Sequence, residues 1–188
     1  MKKLNSEKTI YILKRAMLNL LTEKAFSEIS ISDITEAANL NRTTFYLFFS
    51  SKKELLLSIS EDMLFESEKY LQDFFDATSN NQRKEIILQI YEYNTKKLED
   101  YKIMFEIDEN FLCFFAAYEE SIKKICLREI DHRYPNVKSL NRKLFSEWFT
   151  ASLISTFRLF IREGVEEHDA LADLILTCLD KGFNQILV

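Results

Sequence analysis

From Ser6 onward the apolar residues Ile10, Leu13, Met17, Leu20 and Leu21 return at helical spacing, with Lys14, Asn19 and Glu23 between them. This pattern predicts an amphipathic helix over about 6–24. Ser30-Ile-Ser-Asp33 has the S-x-x-D spacing of a capping box and opens a second helix, 31–38, with Ile34, Ala37 and Ala38 facing inward. Asn39 tolerates the left-handed conformation that ends a helix, and Asn41 caps a third helix, 42–48. A second box, Ser51-Lys-Lys-Glu54, starts a long helix running to about Phe75. After the polar break Thr78-Ser-Asn-Asn81 the helical period resumes with Ile86, Ile87, Ile90, Tyr91 and Leu98. Further segments follow at about 82–99, 101–109, 110–132, 138–163 and 169–187, punctuated by Pro135-Asn136 and Gly164. The last two carry Leu153, Ile154, Phe157, Phe160 and Ile161 on one and Leu171, Leu174, Ile175, Cys178 and Leu179 on the other, the pattern of an antiparallel helical hairpin.

Composition supports an all-α fold of about nine helices. With only 2 Gly and 1 Pro in 188 residues, β-turns and bulges have almost no material. The two glycines, Gly164 and Gly182, are also too far apart for a dinucleotide fingerprint or a phosphate loop. Apolar residues at 47% suffice for a core. Arg158 interrupts the most apolar run, Trp148 to Ile161, so no membrane span is expected. Glu7, Lys8, Lys14 and Arg15 occupy the place where a secretion signal needs apolar residues, which points to the cytoplasm. Cys113, Cys126 and Cys178 are few, odd in number and widely spaced, as reduced core thiols are.

The net charge of −5 is unevenly distributed. Residues 1–60 hold nine Lys/Arg against six Asp/Glu, a surplus of +3, and the remainder carries −8. A basic end on an acidic body suits a chain that meets phosphate at one end. That end also holds two short helices joined by a tight turn, over about 31–48, the layout of a helix-turn-helix. Leu40, Phe45 and Phe49 form its inner face, leaving Arg42, Thr43, Thr44, Tyr46 and Leu47 to point outward. Arg reaches guanine edges with two donors, Thr offers a hydroxyl to phosphate and a methyl to thymine, and a helix N-terminus adds backbone N–H groups. A plain helical corner in an all-α protein has the same outline.

The run from Ile29 through Ala37-Ala38, Thr44-Phe45-Tyr46, Phe49 and Lys52 to Leu55 resembles the DNA-binding domain of the tetracycline-repressor (TetR) family of bacterial transcriptional regulators. The resemblance extends back to Phe26 and the first helix and covers about 50 residues. It implies a three-helix DNA-binding domain at 1–50, joined by a long fourth helix to a larger helical domain at 51–188 for effector binding and dimerisation. It further implies that Thr44 and Tyr46 contact the DNA backbone, that Arg42 and Thr43 face bases beside Leu47, and that Ser30 and Lys52 meet flanking phosphates. Ala25 and Asn39 stand where the family usually has Gly, and Phe48 where it often has His. The Trp148–Gly164 stretch and the helix after it resemble the C-terminal region of some members from Gram-positive bacteria.

In the larger domain, aromatic residues are dense enough to form either a core or an apolar pocket, with Tyr91, Phe105, Phe114, Tyr118 and Trp148 as the pocket candidates. Glu129-Ile-Asp-His132 has the Glu-x-x-His spacing of di-iron bundles but lacks the second copy such a site needs, so no metal and no cofactor is expected. Neither histidine can be tied to a nucleophile, and no catalytic residue or enzyme activity is expected. The expected function is a ligand-responsive repressor that binds a near-palindromic operator as a homodimer paired through its last two helices. The alternatives are an interaction or co-activator module of the same architecture that has lost DNA binding, and a helical enzyme or carrier using the aromatic cavity.

Overall fold

Nine α-helices and one 3-10 turn make up the regular structure among the described residues of the computed structural model, which are 2–107, 114–164 and 167–186, with side chains over 6–107, 116–164 and 167–181. They are α1 (Lys2–Leu21), the 3-10 turn Phe26–Glu28, α2 (Ile31–Ala37), α3 (Arg42–Tyr46), α4 (Lys52–Asp76), α5 (Asn80–Lys96), α6 (Leu98–Glu106), α7 (Phe114–Arg133), α8 (Ser139–Glu163) and α9 (His168–Ile186). The chain divides into two compact units, Met1–Met63 with Glu99–Phe114, and Leu64–Leu98 with Phe115–Val188. Among the described residues no helix is long and apolar enough to cross a membrane.

In the first unit α1 packs on α2 and α2 on α3. Leu13, Met17, Phe26, Ile29, Ile34, Phe45, Leu55 and Leu56 are its buried centre, joined by Tyr101 and Met104 of α6. Helices this short cannot support themselves, so their ends are held by side chains. Ser30 Oγ accepts from the Asp33 amide, and the Asp33 carboxylate accepts from the Ser30 amide and hydroxyl. Asn41 Oδ1 accepts from the Thr44 amide at 2.7 Å. Between the two caps Asn39 takes φ 52°, the left-handed conformation that an amide side chain tolerates. At α4 the Glu54 amide is capped by Ser51 as expected, but the Glu54 carboxylate reaches Ser50 rather than Ser51. On the inward face of α2 Thr35 is buried and Ala37 exposed, the reverse of the expectation for Ala37. The Thr35 hydroxyl donates back to the Ile31 and Ser32 carbonyls, which lets it sit inside. The buried Asp100 carboxylate accepts from Arg15 at 2.6 and 2.8 Å, fixing the start of α6 to α1.

The second unit is built around an aromatic seam. Phe75 stands 5.7 Å from Phe149, and Phe149 stacks on Phe145 at 5.8 Å. The buried Cys126 thiol is pushed up to about 12 by its surroundings and stays protonated. Helix α5 packs on α9, where Lys84 bridges Asp169 and Asp173. The Glu129-x-x-His132 pattern has another use here: Glu129 is buried and paired with Arg128 and Arg133.

Helices α8 and α9 follow the expected order, with two corrections. Ile154, Phe157, Phe160, Ala172, Leu176 and Leu179 are buried, whereas Leu174 and Cys178 face outward. Cys178 is therefore not a core thiol, and Cys113 lies outside the described residues. Both helices have two apolar sides, and periodicity alone does not say which one a neighbour covers. Gly164, at φ 71°, closes α8 with its amide on the Phe160 carbonyl.

The Ser30 bonds, with help from Lys24, hold the Asp33 carboxyl down to about 2. A depressed acid adds stability above its unfolded value near 4 that is lost as the pH falls toward the folded value. Thermal melts followed by circular dichroism at pH 7, 4 and 2 should show Asp33→Asn melting lower than wild type at pH 7, with the difference shrinking between pH 4 and 2. An equal difference at all three pH values would contradict the role of this cap.

Candidate functional site

The exposed face of α3 is made by what lies beneath it. Phe45 is fully buried and Phe49 nearly so, with their rings 5.9 Å apart, and this anchors a helix of only five residues. Arg42, Thr43, Tyr46 and Leu47 are thereby turned to solvent, and Thr44 is half-buried. Tyr46 is 50% exposed and Leu47 74%, two large residues left open on the same short rod. Tyr46 is held edge-on against Phe45 at 5.6 Å, so its ring is positioned although its hydroxyl is free to reach outward. Arg42 forms no ion pair or hydrogen bond among the described residues, whereas Lys14, Arg15 and Lys24 are each paired with an aspartate. Much of the cationic charge of this unit is thus neutralised locally, and Arg42 is not.

The remaining candidates are engaged within the fold. Ser30 is exposed at the start of α2 but occupied with Asp33. The Thr44 hydroxyl donates to Asn41 Oδ1 at 2.9 Å, and its amide is taken by the same atom, so the first turn offers fewer free donors than a bare helix end. Meeting a phosphate requires only a rotation of that hydroxyl. Phe48 is half-buried. Lys52 has an internal task that its place in the motif did not announce. Its ammonium donates to the carbonyls of Phe26 and Ile29, both at 2.7 Å, and of Ser27 at 3.2 Å, and lies 4.6 Å from the centre of the Phe26 ring. An ammonium has three protons, and all are directed at the chain between α1 and α2.

A second feature lies within the larger unit. A cavity open to solvent on one side is walled by α4, α5, α7, α8 and α9. Of the five aromatic candidates, Tyr91 and Tyr118 line it. Phe105 belongs to the other unit, where it stacks on Tyr101. The side chain of Phe114 lies outside those described, and Trp148 is 38% exposed on α8, off the cavity wall. Burial raises the hydroxyls of both Tyr91, to about 12, and Tyr118, so both remain neutral. Tyr118 hydrogen-bonds Ser67, and the Tyr91 ring stacks on His168 at 5.3 Å. The sequence reading missed Asn94, a buried amide on the wall. Its signal is a polar residue on the apolar stripe Ile87, Ile90, Tyr91, Asn94, which aromatic density alone does not reveal.

Residues 12–59 match the family described as bacterial regulatory proteins, tetR family. The chain is similar to the HTH-type dhaKLM operon transcriptional activator DhaS of Lactococcus lactis, 31% identical over 122 residues, covering 63% of this chain and 62% of DhaS. It is also similar to the HTH-type transcriptional regulator EthR of Mycobacterium tuberculosis, 29% identical over 66 residues, covering 35% of this chain and 31% of EthR. The matches thus span less than two thirds of either relative. Among solved structures, the dihydroxyacetone kinase operon activator DhaS superposes with a TM-score of 0.65 at 21% identity, covering 96% of this chain and 98% of that one. NalD of Pseudomonas aeruginosa superposes with a TM-score of 0.71 at 18% identity, covering 95% and 96%. At these identities the structural likeness shows a shared fold and no more.

The bonds of Lys52 make a prediction about stability. Lys52→Met takes the ammonium from three carbonyls, of which that of Phe26 keeps the Ile29 amide, and should lower the urea-unfolding free energy by about 1–3 kcal/mol. A lysine serving only as a surface phosphate contact would change it by less than about 0.5 kcal/mol.

Proposed function

We propose that the chain is a transcriptional regulator of the TetR family, the family that its residues 12–59 match, and that it binds a near-palindromic operator as a homodimer and represses by occupying it, until an effector in the cavity of the larger unit releases it. The observation that carries the DNA half of this reading is the surface of α3: an unpaired Arg42 with Thr43, Tyr46 and Leu47, all exposed above a buried Phe45. In the major groove Arg42 and Thr43 face bases beside Leu47, while Thr44 and Tyr46 hold the backbone. Ser30 and Lys52 sit at the two helix starts flanking this surface. Lys52 meets a phosphate only by yielding one of its carbonyls, so its main contribution is to hold the turn before α2 in place. Such a regulator works in the cytoplasm, where the DNA is.

The dimer reading rests on α8 and α9. Leu140, Leu144, Trp148 and Leu159 run down the outer side of α8, and Leu174 and Cys178 down that of α9, all exposed. Ala151, Ser152 and Ser155 between them are small enough for a second helix to approach. A twofold pairing of these faces makes a four-helix bundle and gives the protein the symmetry that a palindromic site requires. The sign of regulation follows from where an operator lies relative to its promoter. DhaS is named an activator and NalD a repressor, and both share this fold.

The effector half rests on the cavity. Its occupant shifts the protein between DNA-binding and released states by no more than its difference in affinity for the two.

Two measurements test the proposal. Mobility shifts on operators selected from a random pool, repeated across a salt series, should show binding that falls steeply with salt, by roughly 0.9 log units per log unit of salt for each phosphate contact. Thr44→Ala and Tyr46→Phe should weaken all sequences alike, while Arg42→Ala also relaxes one position in each half-site. Flat, weak binding at every salt concentration would favour the interaction module. In sedimentation, wild type should run as a dimer and both Leu159→Glu and Leu174→Glu as monomers, with operator affinity reduced by about tenfold or more. A wild-type monomer that binds the full site would overturn the twofold arrangement.

A further inference from the structure

The cavity wall carries a polar group with nothing to bond. Asn94 is 7% exposed, lines the cavity, and its side-chain amide makes no hydrogen bond among the described residues. One helical turn earlier Tyr91, 5% exposed, lines the same cavity, and its hydroxyl likewise has no protein partner there. Both lie on α5 at i and i+3, so they share one face. Of the other polar groups, Tyr70 is only half-buried, and two more are engaged. The Thr156 hydroxyl donates to the Ser152 carbonyl at 2.8 Å, and Ser67 is bonded to Tyr118. The rest of the wall is mainly aliphatic and aromatic, including Leu71, Phe74, Ile87, Phe149, Phe157 and Ile175. No Lys, Arg, Asp, Glu or His is among the described lining residues.

Buried amides and hydroxyls are nearly always satisfied, because leaving one unpaired costs its full desolvation. Neither group is sealed in the core: both open onto the cavity, so on a mainly apolar wall they are groups that an occupant can bond. An ionised partner would enter without a counter-charge, which is far costlier than entering neutral. An amide both donates and accepts, so it is matched best by a group that does the same.

Resting on the effector reading above, we propose that this cavity takes an uncharged, largely apolar ring compound bearing one hydroxyl, which exchanges hydrogen bonds with Asn94 and Tyr91. The hydroxyl is oriented by the last turns of α5, and the hydrocarbon fills the space between Phe74, Phe149 and Phe157. Carboxylates and amines of the same shape are excluded for want of a charged partner.

The test is calorimetric titration of the full chain with 4-propylphenol, propylbenzene, 4-propylbenzoate and 4-propylbenzylammonium. The phenol should bind about tenfold tighter than propylbenzene, the worth of a good neutral hydrogen bond. The two ions should bind at least about a hundredfold weaker than the phenol. Asn94→Leu should erase most of the phenol's advantage while leaving propylbenzene within about twofold, and should raise the melting temperature of the ligand-free protein by removing an unpaired amide. Tyr91→Phe, which removes one oxygen and keeps the ring, should erase part of the same advantage and serves if the first variant does not fold. The proposal fails if either ion binds as tightly as the phenol, or if the phenol's advantage survives both substitutions. In both cases the cavity remains an effector site of another chemistry. If none of the four compounds binds the folded protein, the effector reading itself falls, and this inference with it.

Discussion

The ends of short helices are the constraint on which the first unit depends. A five-residue helix has more unsatisfied backbone groups than internal hydrogen bonds, and in isolation it would not form. What makes α3 a defined surface is the set of side chains closing the chain around it: Ser30 with Asp33 before α2, Asn39 in the left-handed turn, Asn41 on the Thr44 amide, and Ser51 with Glu54 after it. Lys52 extends the same logic to the stretch that Glu28 closes at its start by accepting from the Ala25 amide, gathering three carbonyls around one ammonium. With these ends fixed, the burial of Phe45 and Phe49 decides which way α3 faces. Arg42 and Tyr46 face outward as a consequence.

Much of this was legible in the sequence because capping is local. A Ser, Asp or Asn three residues from its target amide acts through the nearest backbone, whatever the rest of the molecule does. The helix order, the caps at Ser30 and Asn41 and the turn at Asn39 were read in this way. What escaped reading depends on contacts between residues distant in the chain. Lys52 lies 23–26 residues from the carbonyls it holds. Leu174 and Cys178 sit on the outward side of a helix whose opposite side is equally apolar, so a period of 3.6 cannot tell them from Ala172 and Leu176. Trp148 and Phe105 were grouped with the cavity by residue type, and type does not fix direction. One polar residue in an apolar stripe reads as an interruption, and Asn94, buried on the cavity wall, is such a residue.

The two units also differ in how they treat polar groups. In the first, buried or half-buried charge is matched nearby: Asp100 by Arg15, Asp33 by Lys24 and Ser30, Lys52 by carbonyls. In the second, Glu129 is answered by Arg128 and Arg133, yet the amide and phenol on α5 are left open toward a void. A fold that satisfies a buried carboxylate with two arginines but not a neutral amide is not indifferent to polar burial. Groups that open onto a cavity can be completed by a molecule that enters it, whereas the buried Thr150 hydroxyl, off the cavity wall, has no protein partner among the described residues.

The chain itself sets where the cavity wall and the first unit meet in sequence. The units are joined where the backbone passes from one to the other, and two of those crossings fall between Met63 and Leu64 and between Leu98 and Glu99. Ser67 lines the cavity four residues after the first crossing, on a helix that runs unbroken from Lys52 to Asp76. Asn94 lines it five residues before Glu99, and its own carbonyl accepts the Lys97 amide that closes α5. The next helix begins at Leu98 and is tied by Asp100 to Arg15 of α1. Asn94 thus stands near the end of α5, and most of the helix that follows belongs to the first unit, where Asp100 pairs with Arg15. Under the effector proposal, a ligand that draws on Asn94 acts on the chain where α5 gives way to α6.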